Sequence, residues 1–130
     1  MSVLLDQDRA RKAYTSVAGV PRKDFDDYRI AVNAFGAQVI RLGLCAAIAW
    51  LQRAKTDGAD LFLQHLNEAN LRGLDAIQQN RGPAVPFASK VQAADAANYM
   101  IATRDTLALV VWFRRALQAS RTGAAEVAVR

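Results

Sequence analysis

Apolar residues recur every three or four positions through most of this chain, which is the spacing of helices that bury one face. The first such stretch covers residues 4–20 and ends at a Gly-x-Pro sequence. A second covers residues 28–55, where positions 42–51 are apolar on nearly every face. This second pattern predicts a long central helix buried among several neighbours, with Gly36 as the candidate position for a kink.

Three further helical patterns follow the central helix. A turn signal at residues 56–58 begins a third helix that is predicted to reach about residue 79, with an interruption at Gly73. Ser89 is the expected cap of a short fourth helix. Residues 99–119 carry the clearest apolar stripe of all, and they predict a long C-terminal helix.

The remaining segments lack helical periodicity. Residues 80–88 include the Gly/Pro-rich stretch and are predicted to form a loop, while residues 121–130 have no partner pattern and are expected to fray. The sequence has no alternating strand pattern, hairpin dipeptide or internal repeat. It therefore predicts an all-α fold, in which residues 1–130 form a single helical domain, a bundle of about five to six helices.

Composition supports a folded domain and adds a positive charge. Of 130 residues, 52% are hydrophobic and 22% are charged, which is enough apolar surface for one core and far from the composition of a disordered chain. The chain has 17 Lys and Arg against 12 Asp and Glu, a net charge of +5. This balance favours polyanionic partners such as nucleic acid or an acidic protein surface.

Candidate catalytic or metal-binding groups are few. His65 is the only histidine; with Glu68 nearby it supplies too few ligands for a metal, so we interpret it as a surface or capping residue. Cys45 is the only cysteine, and its apolar neighbours predict an inert core thiol in a reducing, cytoplasmic setting. Nucleotide-binding and acyl-transfer motifs are absent, and so are a secretory signal and a membrane span. We expect a binding protein with no cofactor or metal, and not an enzyme.

Basic residues on three of the predicted helices remain as candidates. Those on the last helix lie off its apolar stripe, so they face solvent or a partner. Binding to a nucleic-acid backbone needs many cations and no base edge; the alternative is an ordinary solvated helix face. The candidates for phosphate contact are Arg11, Lys12, Arg41, Arg53, Lys55, Arg104, Arg114 and Arg115.

Three stretches of the chain together resemble a known family. Residues 99–116, YMIATRDTLALVVWFRRA, resemble the signature of the CRISPR-associated small subunit of the type III-B (Cmr, RAMP module) effector complex: a tyrosine, Thr-Arg-acid, an aliphatic run and Trp-x-[Lys/Arg]-Arg. Residues 11–17, RKAYTSV, and residues 43–51, GLCAAIAWL, are similar to the family in its first and central helices. The chain departs from the family at Asp105, where glutamate is usual, and in having Phe-Gly where Leu-Pro often precedes the central helix.

The resemblance implies a non-catalytic helical subunit that acts in antiviral defence. Several copies would stack end to end as a minor filament in an RNA-guided ribonucleoprotein, together with its large subunit and backbone subunits. The basic helix faces would then contact guide (CRISPR) RNA and target RNA without reading bases, because base pairing carries the specificity.

Two alternatives stay open from the residues alone. A helical DNA-binding regulator would need a recognition helix after the turn at residues 57–60 or after the proline loop. A self-associating structural bundle would have no affinity for nucleic acid.

Overall fold

The computed structural model describes residues 2–69, 71–74 and 87–129, and within them the side chains from residue 5 to residue 120. This part of the chain forms six α-helices and one short 3-10 helix, with no strand, which confirms the predicted all-α fold. The elements are α1 (Ser2–Ala18), the 3-10 helix (Arg22–Asp24), α2 (Phe25–Leu42), α3 (Leu44–Ala54), α4 (Asp57–Glu68), α5 (Phe87–Ala93) and α6 (Ala96–Val129). No helix in the described part combines the length and hydropathy that crossing a bilayer requires.

The helices pack around α6 and α2. Helices α1 and α2 both lie along α6, and α2 also contacts α3 and α4, while α5 covers α3 and α4. Four rings from α2, α4 and α6 form the centre of the core, with neighbouring ring centroids 5.4 to 6.5 Å apart. They are Tyr28, Phe35, Phe62 and Phe113. Three of the four contacts are edge-to-face, and the rings together fix how three helices meet at one point.

The predicted central helix is divided into α2 and α3 at Gly43. This residue has φ +91°, a conformation that side chains beyond glycine rarely adopt. Its N–H donates to the Val39 carbonyl at 2.9 Å, and its carbonyl accepts from the Ala47 N–H at 3.0 Å, so the two helices join without a loop. The direction of the chain therefore changes at Gly43. Gly36, the predicted kink, lies inside α2, where a β-carbon would be 3.4 Å from a Val110 methyl group of α6.

The third helix is shorter than its apolar pattern predicts, because α4 ends at Glu68. Residues 71–74 form a turn, and Gly73 within it has φ +87°. A β-carbon at Gly73 would overlap the carbonyl oxygen of Asn98, so this turn packs backbone against backbone on the start of α6. The rest of the predicted third helix, residues 75–79, lies outside the described residues.

The boundaries of the last two helices also differ from those predicted. Helix α5 begins at Phe87, so Ser89 lies within it and does not cap it. Of the loop predicted over residues 80–88, residues 80–86 lie outside the described residues. Helix α6 is assigned as far as Val129, and the fraying expected for residues 121–130 stays a prediction.

Candidate nucleic-acid interface

The signature stretch at the start of α6 is a place where other elements attach. The Tyr99 hydroxyl accepts a hydrogen bond from the Cys45 N–H at 3.1 Å. That N–H is one of the first-turn donors of α3, which Gly43 at the N-cap has no side chain to satisfy. Helix α6 thus caps α3, and two of the stretches that carry the family resemblance meet in space.

Asp105, the acid of the signature, joins three segments of the chain. Its Oδ1 accepts from Nε and Nη2 of Arg9 in α1, at 3.0 and 2.7 Å. Its Oδ2 accepts from the backbone N–H of Arg72, at 2.8 Å. The side chains of Arg9 and Asp105 are only 18% and 11% exposed, so this ion pair holds α1 and the 71–74 turn against α6.

The two threonines of the signature bond within α6. Thr103 Oγ1 donates to the Tyr99 carbonyl at 2.8 Å, and Thr106 Oγ1 donates to the Ala102 carbonyl at 2.7 Å. Hydroxyls that bond four residues back in a helix are satisfied locally. The Tyr-Thr-acid part of the signature is therefore structural, and the arginine between Thr103 and Asp105 is the member that points outward.

Lys12 differs from the other predicted phosphate contacts. Its ammonium lies 2.9 Å from Asp8 Oδ2 and donates to the Ala69 carbonyl at 2.7 Å, so it ties α1 to the end of α4. The other predicted cations are exposed and form no ion pair with another described side chain. They are Arg11, Arg41, Arg53, Lys55, Arg104, Arg114 and Arg115.

Three of these exposed cations lie on the outer side of α6. Arg104 and Arg115 are separated by about three helical turns and share one face. Arg114 lies beside Arg115, about 100° around the helix axis. The Arg115 guanidinium carbon lies 4.6 Å from the ring centroid of Trp112, a cation–π contact that holds this side chain along the helix surface.

The remaining exposed cations are distributed over three other places. Arg11 lies on the outward face of α1, and Arg53 and Lys55 lie at the end of α3, where Lys55 has φ +53°. Arg41 lies in the last turn of α2, next to the Gly43 corner. The structure therefore does not gather the predicted cations into one patch, and the largest group is the one on α6.

His65 is placed differently from its prediction as a surface or capping residue. It is half-buried, with Nδ1 2.7 Å from the Tyr28 hydroxyl and the two rings 5.5 Å apart. Burial lowers the pKa of His65, against a smaller opposite effect of Glu68, and burial raises the pKa of Tyr28. Burial thus favours a protonated phenol beside a neutral imidazole, and the hydrogen bond between them joins α2 to α4.

The prediction of a buried Cys45 is wrong, because its thiol is exposed. The residues of α3 that face the core are Leu44, Ala47, Ile48 and Leu51, a stripe that leaves Cys45 outside. Apolar neighbours in the sequence do not indicate which face of a helix a residue occupies. The break at Gly43 sets that face, and no local signal in the sequence reveals it.

A buried lysine was also missed. Lys90 of α5 is 1% exposed, and its ammonium donates to Asn67 Oδ1 at 2.7 Å. Burial lowers the pKa of this lysine. Lys90 lies in the apolar spacing formed by Phe87 and Val91, which is the signal that could have placed it inside.

These features define a small helical domain whose signature residues hold its helices together and whose cations face outward. A family model described as CRISPR-associated protein (Cas_Cmr5) matches residues 5–120. The fold is similar to the X-ray crystal structure of a CRISPR-associated Cmr5 family protein from Thermus thermophilus, with a TM-score of 0.69 and 24% sequence identity. That similarity covers 88% of this chain and 96% of the other. No curated protein gave a significant match.

The chain therefore belongs to the Cmr5 family, and the resemblance inferred from its sequence is confirmed. Family membership makes it a small subunit of the CRISPR type III-B Cmr complex, associated with the other subunits of that complex.

Proposed function

We propose that this subunit is non-catalytic and contacts the backbone of guide and target RNA, while copies of it stack beside the other subunits of the complex. The observation that carries the RNA contact is a set of exposed cations without carboxylate partners in the described part of the chain. Among the predicted contacts they are Arg11, Arg41, Arg53, Lys55, Arg104, Arg114 and Arg115. Cations that are already paired offer little to a phosphate, whereas unpaired ones release counterions when they bind it.

Arg114 and Arg115 are the foremost of these residues. They are adjacent on a long helix, and the Trp112 ring under Arg115 reduces the side-chain freedom that binding would remove. Guanidinium groups form bidentate bonds with phosphate and accept any base sequence. A subunit that must work with every guide needs this kind of contact.

The DNA-binding alternative is disfavoured by the surface of α4. In that alternative α4 would be the recognition helix, because the turn predicted at residues 57–60 is the first turn of α4. Its exposed positions include Asp57, Asp60 and Glu68, whose charges repel phosphate, and Phe62 and Leu66 are fixed in the core. A helix with acidic residues in its first turn is poorly suited to enter a major groove.

The test is the salt dependence of binding to single-stranded RNA of mixed sequence. Fluorescence anisotropy should show weak binding without sequence preference, with a log–log slope of about −0.7 per phosphate contacted. Arg114→Gln with Arg115→Gln should lower the affinity and flatten the slope by about 1.4, the value for two lost contacts.

A matched control removes the same charge elsewhere. Arg22→Gln with Lys23→Gln changes two exposed cations of the 3-10 helix that are not among the predicted RNA contacts. This control should leave the slope unchanged. An equal loss in both double variants would mean that only net charge matters, and a slope near zero in the parent protein would refute RNA contact and favour a purely structural bundle.

A further inference from the structure

Helix α6 carries an exposed arginine that rests on an anchored aromatic ring. The guanidinium carbon of Arg115 lies over the indole of Trp112, 4.6 Å from the ring centroid. Trp112 is half-buried and packs against the hydrophobic core, so the bundle holds the ring in place. Arg115 is exposed and forms no ion pair with another described side chain. We call these two residues the Trp112–Arg115 pair.

The neighbours of Arg115 on α6 do not neutralise its charge. The residues one turn before and one turn after it on the same side of the helix include no acid. They are Val111, Trp112, Gln118 and Ala119. The indole, rather than a carboxylate, therefore sets the position of this guanidinium.

The pair presents a flat surface to solvent. Trp112 contacts the Arg115 guanidinium from one side, and the exposure of Arg115 leaves its other side to solvent. A guanidinium is planar and weakly hydrated, and it stacks on flat groups. Proteins that bind single-stranded RNA stack unpaired bases on aromatic rings and on guanidinium planes. The surface left open by the pair suits a nucleobase.

We propose that the Trp112–Arg115 pair binds one unpaired nucleobase, which stacks on the outer side of the guanidinium, while Arg114 contacts a phosphate of the same strand. The inference rests on the proposed function, because it adds a base contact to the proposed contact with the RNA backbone. A base inside a duplex already stacks on its neighbours, so the ligand is a single-stranded segment. Every base has a π-face, so the site accepts any sequence.

The test compares two RNAs that carry the same backbone charge. One is a short single strand of mixed sequence, and the other is the same strand with abasic positions throughout. Fluorescence anisotropy measures the two affinities, and quenching of Trp112 fluorescence locates the contact. Trp50→Phe removes the other of the two tryptophans, so Trp112 is the single reporter. We expect the strand with bases to bind about fivefold or more tightly than the abasic strand, and to quench Trp112 more strongly.

A charge-preserving variant separates stacking from electrostatics. Arg115→Lys keeps the positive charge but has no planar guanidinium. Its salt slope should stay unchanged, and its preference for the strand with bases should be lost. Arg22→Lys makes the same substitution at an exposed arginine of the 3-10 helix that is not among the predicted RNA contacts. This control should keep the preference, and circular dichroism should show the same helicity in both variants.

The other outcomes overturn the base site. Equal affinity of the parent protein for the two strands would refute it and leave the proposed backbone contact intact. A preference that survives in Arg115→Lys, or one that is lost in both lysine variants, would show that it does not depend on the guanidinium of Arg115. If neither strand binds, the proposed RNA contact itself fails, and the base site fails with it.

Discussion

Replacing Asp105 by asparagine tests whether the signature acid is a structural tie. Asp105→Asn keeps the shape of the side chain and removes its charge, and it turns one of two acceptors into a donor. The new NH₂ group must face either Arg9 or the Arg72 N–H, both of which are donors. The variant therefore loses the ion pair and at least one hydrogen bond to α1 or to the 71–74 turn.

The size of the effect follows from burial. A hydrogen bond to a charged group contributes about 1.5 to 3 kcal/mol, and breaking a fully buried ion pair costs about 3 to 5 kcal/mol. Arg9 retains 18% exposure, so water can partly solvate its freed guanidinium. We expect a loss of about 2 to 3 kcal/mol in the free energy of unfolding, a value between those for breaking a surface ion pair and a buried one.

Urea unfolding followed by tryptophan fluorescence measures this loss. With an m value of about 1.5 kcal/mol/M, the midpoint should fall by about 1.3 to 2 M. Asp6→Asn is the matched control, because Asp6 bonds the same guanidinium at 3.3 Å but is 55% exposed; its effect should stay below about 0.5 kcal/mol. In the cycle with Arg9→Met, the two losses should be less than additive. Equal effects of Asp105→Asn and Asp6→Asn would refute the assignment.

Two further predictions concern the backbone and pH. Gly73→Ala should destabilise the fold by more than about 1 kcal/mol, because φ is +87° and the new methyl group overlaps the Asn98 carbonyl oxygen. Thermal melts of both variants measure this effect. At Gly19 a new methyl group would make only ordinary contacts, so Gly19→Ala should be neutral or stabilising in those melts. Since the pKa of His65 is lowered by burial, acid favours the unfolded state: stability present above pH about 6.5 should decline as the pH falls further, by at most about 1.4 kcal/mol per unit. When the urea midpoint is measured against pH, His65→Gln should remove this decline. An unchanged decline in the variant would show that His65 does not cause it.

The sequence predicts those helices whose apolar residues all lie on one face. The stripe of residues 99–119 located α6, and its family-like signature identified the chain. The break at Gly43 could not be predicted, because apolar residues continue through it and a positive φ leaves no trace in hydrophobic periodicity. The exposure of Cys45 depends on that break and was missed with it.

The site was less predictable than the fold for a physical reason. Whether a cation is available to bind RNA depends on ion pairs between residues that lie far apart in the sequence, such as Arg9 and Asp105. Lys12 has the same sequence context as its neighbour Arg11, yet its ammonium is held by Asp8 and the Ala69 carbonyl. Sequence patterns place a side chain on a helix face, but only tertiary structure shows whether it already has a partner.

The tie between Arg9 and Asp105 also sets the order in which the molecule can be completed. The two residues are 96 positions apart, so ribosomal synthesis at about 5 to 20 residues per second separates their appearance by about 5 to 20 s. During this interval α1 lacks the helix on which it packs, whereas α2, α3 and α4 already have one another. Helix α1 is therefore among the last to dock. The nascent chain exposes the apolar face of α1 until α6 leaves the ribosome.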